Sequence, residues 1–326
     1  MFGDPLQAVY REINREEHCN WAAVVQHFPN QVILSTPYRW ATKNAGLGHW
    51  LLEVRELLIQ GRPIDLSAGP VNTLPAGQQA AHISACQRFA GPAAESTLAL
   101  RRWGANCHKL ARSLNGMFHS MEPVACDDLI ESAELIESST GNERSGQVID
   151  FAVKCLSRLP SNVTGLAASF RQGRIPHPRA LDVVNVVTAL ERVSGSNDIR
   201  YVESAMETIE GLTANFVFAR RELWREMRRT LEQHRIHPRQ RLAETAWHVR
   251  NRARVIGRSV DRRSLSTPLL VKGLEFDHAI VLDADEHNSA EHLYVAITRA
   301  SRSLTVLTQN AVVTRPRPHF ASDQAT

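Results

Sequence analysis

Val271-Lys-Gly-Leu-Glu-Phe-Asp277, followed at once by Ala279-Ile-Val-Leu282 and then by Tyr294-Val-Ala-Ile-Thr-Arg-Ala300, decides the fold class. The four apolar residues at 279–282 read as a buried strand, and Leu304-Thr-Val-Leu307 reads as another. The order is strand, polar turn, short helix ending in an arginine, strand. This order predicts an α/β protein. It puts Glu275, on a glycine loop, and Arg299 at the edge of a parallel sheet, where α/β proteins bind nucleotides.

Working outward, Thr97-Leu-Ala-Leu100 reads as a strand that enters a helix through Gly104-Ala-Asn106. Gln31-Val-Ile-Leu34 reads as another strand, with Pro37 forcing a loop after it. Apolar spacing predicts a helix over Leu47–Gln60, closed by Gly61. Residues 67–95 read as loop with a short helix. Residues 120–262 read as helical, with segments at Leu129–Glu137, Val148–Leu159, Ala180–Val193, Tyr201–Leu212 and Phe216–Gln233, punctuated by glycine and proline.

A chain of 326 residues, 43% hydrophobic, is long enough for two domains or for one domain with a large insertion. Five scattered cysteines without a CxxC pair argue against a disulfide framework or a zinc ribbon and fit a reducing cytoplasm. No signal peptide or membrane-spanning apolar run is present. The formal charge of +4 is uneven. Between Arg220 and Arg263 fourteen arginines face five acids, an excess of nine positive charges, so the remainder is net acidic by five. Clustered arginine suits a phosphate backbone; the competing reading is the solvated face of a long helix. Ile280-Val-Leu-Asp-Ala-Asp-Glu286 has the look of a magnesium-binding strand end, but the acids read better as loop. The 14 histidines show no metal-ligand spacing.

KGLEFD and YVAITRA resemble motifs V and VI of the UvrD/Rep-like superfamily 1 helicases. Phe2-Gly-Asp-Pro-Leu-Gln-Ala-Val-Tyr10 resembles motif III, and Thr36-Pro-Tyr-Arg-Trp40 resembles motif IV. Four motifs stand in the family's order; the likeness covers both ends of the chain and little of the middle. It implies a RecA-like second motor domain over 35–119 and 264–315. It also implies a helical insertion over 120–263, a remnant of the first motor domain over 1–34, and a disordered tail at 316–326.

The resemblance implies roles as well. Gln7 would sense the terminal phosphate, with Asp4 beside it; as a bare helix start, Asp4 would simply cap and Gln7 would be incidental. Tyr38 would stack on adenine and Arg39 would reach the γ-phosphate; otherwise Tyr38 is core and Arg39 a surface ion pair. Gly273 would permit a tight turn, Glu275 would accept from the ribose hydroxyls, and Asp277 would brace the loop. Arg299 would be the arginine finger, with Thr298 and Tyr294 orienting its helix. The basic segment, with Arg252, Arg254 and Arg258, would meet single-stranded or partially duplex DNA. Leu269 stands where many relatives carry a DNA-contacting histidine, which puts that coupling role in question.

No Gly-Lys dipeptide occurs, so the glycine-rich phosphate loop is missing. The chain thus carries the sensor and finger half of a site for ATP and Mg2+. The other half would come from a longer gene or a separate chain, or would be lost altogether. A reading frame opening inside motif III favours a truncated gene or a misplaced start. The expectation is the C-terminal part of an ATP-dependent DNA helicase or translocase. The alternative is a non-catalytic nucleic-acid-binding or partner-docking module.

Overall fold

The computed structural model describes residues 3–9, 21–30, 32, 36–123, 125–212, 216–256 and 260–318, the side chains of 22 and 253–256 excepted. Two compact units divide the chain: Met1–Leu110 with Arg262–Thr326, and Ala111–Asp261. The chain first forms α1 (Trp21–His27), α2 (Tyr38–Ala41), α3 (Ala45–Gln60), β1 (Ile64–Asp65), β2 (Val71–Pro75), α4 (Gln79–Phe89), β3 (Thr97–Leu100) and α5 (Gly104–Ser113). It continues through β4 (His119–Ser120), α6 (Asp127–Ser138), α7 (Gly141–Cys155), β5 (Leu156–Ser157), α8 (Ser161–Thr164), α9 (Leu166–Arg171), α10 (Leu181–Gly195), α11 (Arg200–Glu210), β6 (Val217–Phe218), α12 (Arg221–Ile236) and α13 (Leu242–Ile256). It closes with β7 (Arg263–Ser266), β8 (Phe276–Val281), α14 (Ala290–Ile297), β9 (Ala300–Thr308) and β10 (Val312–Val313).

The protein is α/β. Five strands of the first unit belong to a six-stranded, all-parallel sheet and run in the order β2-β9-β8-β3-β7. β3 lies between β8 and β7, with Leu100 beside Val281 and Ser266. All four residues of β3 are buried, as are Leu304, Val306 and Leu307 of β9. A parallel sheet is covered on both faces, so its central strands are continuous apolar runs rather than alternating ones. That is why β3, β8 and β9 were legible in the sequence. β2 and β7 were not: Val71-Asn-Thr-Leu-Pro75 mixes polar residues into a sheet-end strand, and β7 buries two serines, Ser264 and Ser266.

α3 starts where the Asn44 side chain accepts from the Leu47 amide at 3.0 Å and stops at Gly61, whose φ is +64°. It buries Leu47, Trp50, Leu51, Val54 and Leu58, each contributing roughly 1.5–3 kcal/mol of apolar transfer. Of the predicted strand at 31–34 only Val32 is described, and it is exposed; residues 319–326 of the tail lie outside the described residues. Among the described residues no helix is long and apolar enough to cross a membrane.

The second unit is built from helices around Phe151, Phe170, Leu190, Met206, Trp224 and Met227; the Phe151 and Trp224 rings stack at 5.9 Å. Its arginines are largely engaged inside the unit. Arg220 pairs with Glu122 and Asp128, Arg221 and Arg225 with Asp261, and Arg228 with Glu207 and Glu210. Arg235 pairs with Glu203, Arg241 with Glu137, and Arg250 with Glu222 and Glu226. Arg220, Arg250, Glu122, Glu222 and Glu226 are buried. Buried charges need such partners, because an unpaired one costs several kcal/mol. Half of the fourteen arginines between 220 and 263 are therefore held by carboxylates of the unit itself. Of the three arginines expected at DNA, Arg252 is exposed on α13; Arg254 falls in the same helix, and Arg258 lies outside the described residues.

Candidate functional site

The predicted residues other than those arginines all fall in the first unit. α2 is a single turn without a side-chain cap, so it is held from outside. Trp40 Nε1 donates to the Ala300 carbonyl at 2.6 Å, and Asn44 Nδ2 donates to the Arg302 carbonyl at 2.7 Å. Gly48 of α3 lets Trp40 approach closely: a Cβ there would fall 2.7 Å from the Trp40 Cβ. These ties set Arg39 against the end of α14. Arg39 Nη1 donates to the Thr298 carbonyl at 2.9 Å, and Arg39 Nε pairs with Glu275 Oε2 at 3.2 Å.

Arg299 follows directly and is 1% exposed. Its Nε donates to Val295 O at 2.9 Å, Nη1 to Leu274 O at 3.0 Å, and Nη2 to Thr298 Oγ1 at 2.9 Å. Thr298 Oγ1 in turn donates to Tyr294 O at 2.7 Å. Carbonyls and a hydroxyl thus orient this guanidinium, and no carboxylate among the described residues pairs with it. Burial, and then the positive charge of Arg39, pull its pKa down to about 10. It still carries a full charge at neutral pH. Burial likewise pushes the Tyr294 hydroxyl up to about 12.

Glu275 is shared. Arg39 holds Oε2, and Lys43 Nζ holds Oε1 at 3.2 Å. Lys43 also reaches Ser301 Oγ at 3.1 Å and Asp277 Oδ1 at 3.5 Å. Asp277 braces the loop as expected: Oδ2 accepts from the Ser96 amide at 3.0 Å and hydroxyl at 2.9 Å, and Oδ1 accepts from Arg302 at 3.1 Å. Burial alone would raise its pKa; Ser96, Arg302 and Lys43 outweigh that and hold it well below the usual carboxylate range. Gly273 has φ +84° and open space where a Cβ would go.

Asp4 does cap: its Oδ1 accepts from the Leu6 amide at 3.2 Å, opening the turn Pro5–Gln7 that packs on α14. Gln7 is not incidental to it, since its amide donates to Asp4 Oδ2 at 3.1 Å. Tyr38 is 82% exposed, so the reading of it as core is wrong. Arg39 does form the ion pair of its plainer reading.

One expectation needs correcting. Glu275 and Arg299 immediately precede β8 and β9, which are interior strands. They lie at the amino ends of the sheet, opposite the carboxyl-end crevice where open α/β sheets bind ligands. The reason is that α14 returns the chain to the amino end before β9 begins. Lys43, Trp40 and Ser96 were missed by sequence reasoning. Lys43 sits one turn beyond Arg39, a spacing that could have flagged it; nothing local marks Ser96. Two of the acids of 283–286 are engaged elsewhere, Asp283 with Arg101 and Asp285 with Thr308. Among the described residues no group of three or more His, Cys, Asp or Glu side chains could hold a metal ion.

Neither a protein-family model nor a curated protein sequence matches this chain.

Proposed function

We propose that this chain is the C-terminal portion of a UvrD-like ATP-dependent DNA helicase or translocase, with a RecA-like motor unit. It supplies the arginine finger and the γ-phosphate sensor to an ATP site whose phosphate loop and Mg2+ ligands lie outside these residues. The observation that supports it most is the meeting of Arg39 and Arg299. Arg39 donates to Thr298 O across a separation of 259 residues, beside an Arg299 that pairs with no carboxylate among the described residues. Among the described residues Glu275 is the one carboxylate bonded to either guanidinium, so the pair can accept more negative charge. An incoming polyphosphate would supply it.

Bound MgATP would supply the γ-phosphoryl group, whose transfer spreads negative charge over its oxygens. The chain's own residues do the rest. Tyr38 offers its exposed ring to the base. Arg39 exchanges Glu275 for phosphate oxygens. The freed Glu275 Oε2 accepts from ribose hydroxyls while Lys43 holds Oε1. Arg299 keeps one Nη2 N–H uncommitted among the described residues and presents its charge to the leaving group. Closure and reopening of two motor domains around this site would step the protein along single-stranded DNA. The alternative of a docking module working through the arginine-rich segment has less support, because seven of its arginines are paired internally.

The test is photolabelling of the full chain with 8-azido-ATP, read by peptide mass spectrometry. The label is expected on the Tyr38 peptide, competed by ATP and lost in Arg39→Ala. A label elsewhere, or one indifferent to Arg39→Ala, would remove the basis for the reading. The chain by itself is expected to turn over no ATP; turnover abolished by Arg299→Ala would show the site is complete without another half.

A further inference from the structure

His278 holds a hydroxyl and a carboxylate on its two ring nitrogens. It stands on β8, and its partner in register on β9 is Ser303. Ser303 Oγ lies 2.7 Å from His278 Nδ1, and Glu95 Oε2 lies 2.6 Å from Nε2. Glu95 comes from the loop between α4 and β3. A carboxylate only accepts, so in the neutral ring the proton sits on Nε2 and Nδ1 accepts from the Ser303 hydroxyl. The order is hydroxyl, imidazole, carboxylate. None of the three takes part in the Arg39–Arg299 site.

The ring is held in place. Gly91, at φ +65°, brings its backbone so close that a Cβ there would collide with His278 Cδ2. Arg263 Nη2 donates to the Gly91 carbonyl at 3.2 Å and fixes that approach. The next register pair of the same strands, Ala279 with Leu304, is apolar and buried. A brace between strands needs neither an ionisable ring nor a carboxylate behind it. Ser303 is half-buried, within reach of a small molecule. Arg302, 46% exposed, brings a guanidinium to the rim, its Nε 3.6 Å from Glu95 Oε1.

A positioned base on a serine, with the base oriented by a third group, is the arrangement that activates a hydroxyl as a nucleophile. We infer that Ser303, His278 and Glu95 form an acyl-transfer site that hydrolyses small carboxylic esters. Ser303 Oγ attacks the ester carbonyl carbon, and its proton passes to His278 Nδ1. The carbonyl electron pair moves to oxygen, an oxyanion that the charge of Arg302 favours. Collapse breaks the bond to the leaving alkoxide, which takes the proton from Nδ1. A water that gives its proton to Nδ1 then attacks the acyl-serine. It releases the carboxylic acid, and the proton returns to Ser303 Oγ. Glu95 positions the ring and stabilises its charged form. This goes beyond the proposed function and does not depend on it.

The experiment is labelling of the full chain with a fluorophosphonate, which reacts with activated serines, read by peptide mass spectrometry. The label is expected on Ser303 and absent in Ser303→Ala at an unchanged melting temperature. His278→Gln is expected to slow labelling about 100-fold, and Glu95→Gln about tenfold, with part of the rate restored in Glu95→Asp. Wild type is expected to release p-nitrophenol from p-nitrophenyl acetate with a burst that Ser303→Ala lacks. A wild-type chain unlabelled at Ser303, or labelled at a rate indifferent to His278→Gln, would overturn the site. Should His278→Gln fail to fold, Glu95→Gln decides in its place, and a rate equal to wild type overturns the relay. Neither result bears on the Tyr38 photolabel, by which the nucleotide reading stands or falls.

Discussion

Arg299 and Arg39 carry the same charge and both donate to Thr298, yet the protein treats them differently. Arg299 is buried and donates to Val295, Leu274 and Thr298. Removing it strands those acceptors in a dry environment, where each unsatisfied group costs about 1–3 kcal/mol. Arg39 is nearly one-third exposed and its partner Glu275 more so, where ion pairs are worth about 1 kcal/mol or less. Urea titrations should therefore show Arg299→Ala losing about 3 kcal/mol and Arg39→Ala less than about 1. Equal losses would mean that Arg299 is not held as described. It follows that Arg39→Ala is the cleaner probe of nucleotide contact. Asp277 gives a prediction in pH. Its carboxyl is depressed in the folded state by Ser96, Arg302 and Lys43 against the effect of burial. The stabilisation is complete above the unfolded value of about 3.9 and is lost as pH falls toward the folded value. Melting temperatures should fall more steeply below about pH 4 in wild type than in Asp277→Asn. Parallel profiles would dismiss the carboxylate as a source of acid sensitivity.

At the scale of elements, the short helix α2 is too small to hold itself, since four residues cannot complete a stable helical turn in water. Its position comes from Trp40 and Asn44 bonding to the first residues of β9, and from the close approach at Gly48. Gly48→Ala would put a methyl 2.7 Å from the Trp40 Cβ. Helix propensity alone would favour the alanine, so the two effects oppose. Overpacking costs about 1–3 kcal/mol and should win. The expected result is a lower denaturation midpoint together with weaker 8-azido-ATP labelling of the Tyr38 peptide, because α2 also carries Arg39. A more stable Gly48→Ala protein with full labelling would show that α2 is anchored some other way. Gly273 is the opposite case: at φ +84° with open space around it, its requirement is conformational and not steric.

For the whole molecule, the arginine count is a poor guide to nucleic-acid affinity. Fourteen arginines between 220 and 263 would, if all met phosphates, give a logarithmic salt slope near −10 for single strands, at about −0.7 per contact. Seven of them are tied to carboxylates of their own unit, and with seven left the slope of single-stranded DNA binding is expected to be no steeper than about −5. A slope near −10 would show that these pairs open on binding. The same pairing explains why a basic segment can build a compact helical unit. Arg220 and Arg250 pair with Glu122, Glu222 and Glu226 in its interior, where apolar residues would ordinarily stand.

The sequence by itself determined the α/β class, the central strands β3, β8 and β9, most of the longer helices and the pairing of KGLEFD with YVAITRA. These are local signals: buried parallel strands are apolar throughout, and helices repeat every 3.6 residues whatever surrounds them. Only the tertiary structure decided which end of the sheet Glu275 and Arg299 occupy, that Lys43 and Ser96 complete their surroundings, and that the arginine-rich helices spend their charge inward. Strand order, burial and charge pairing join residues from 21 positions apart, as in Arg228 with Glu207, to 232, as in Lys43 with Glu275, and a local window of sequence does not show which residues meet.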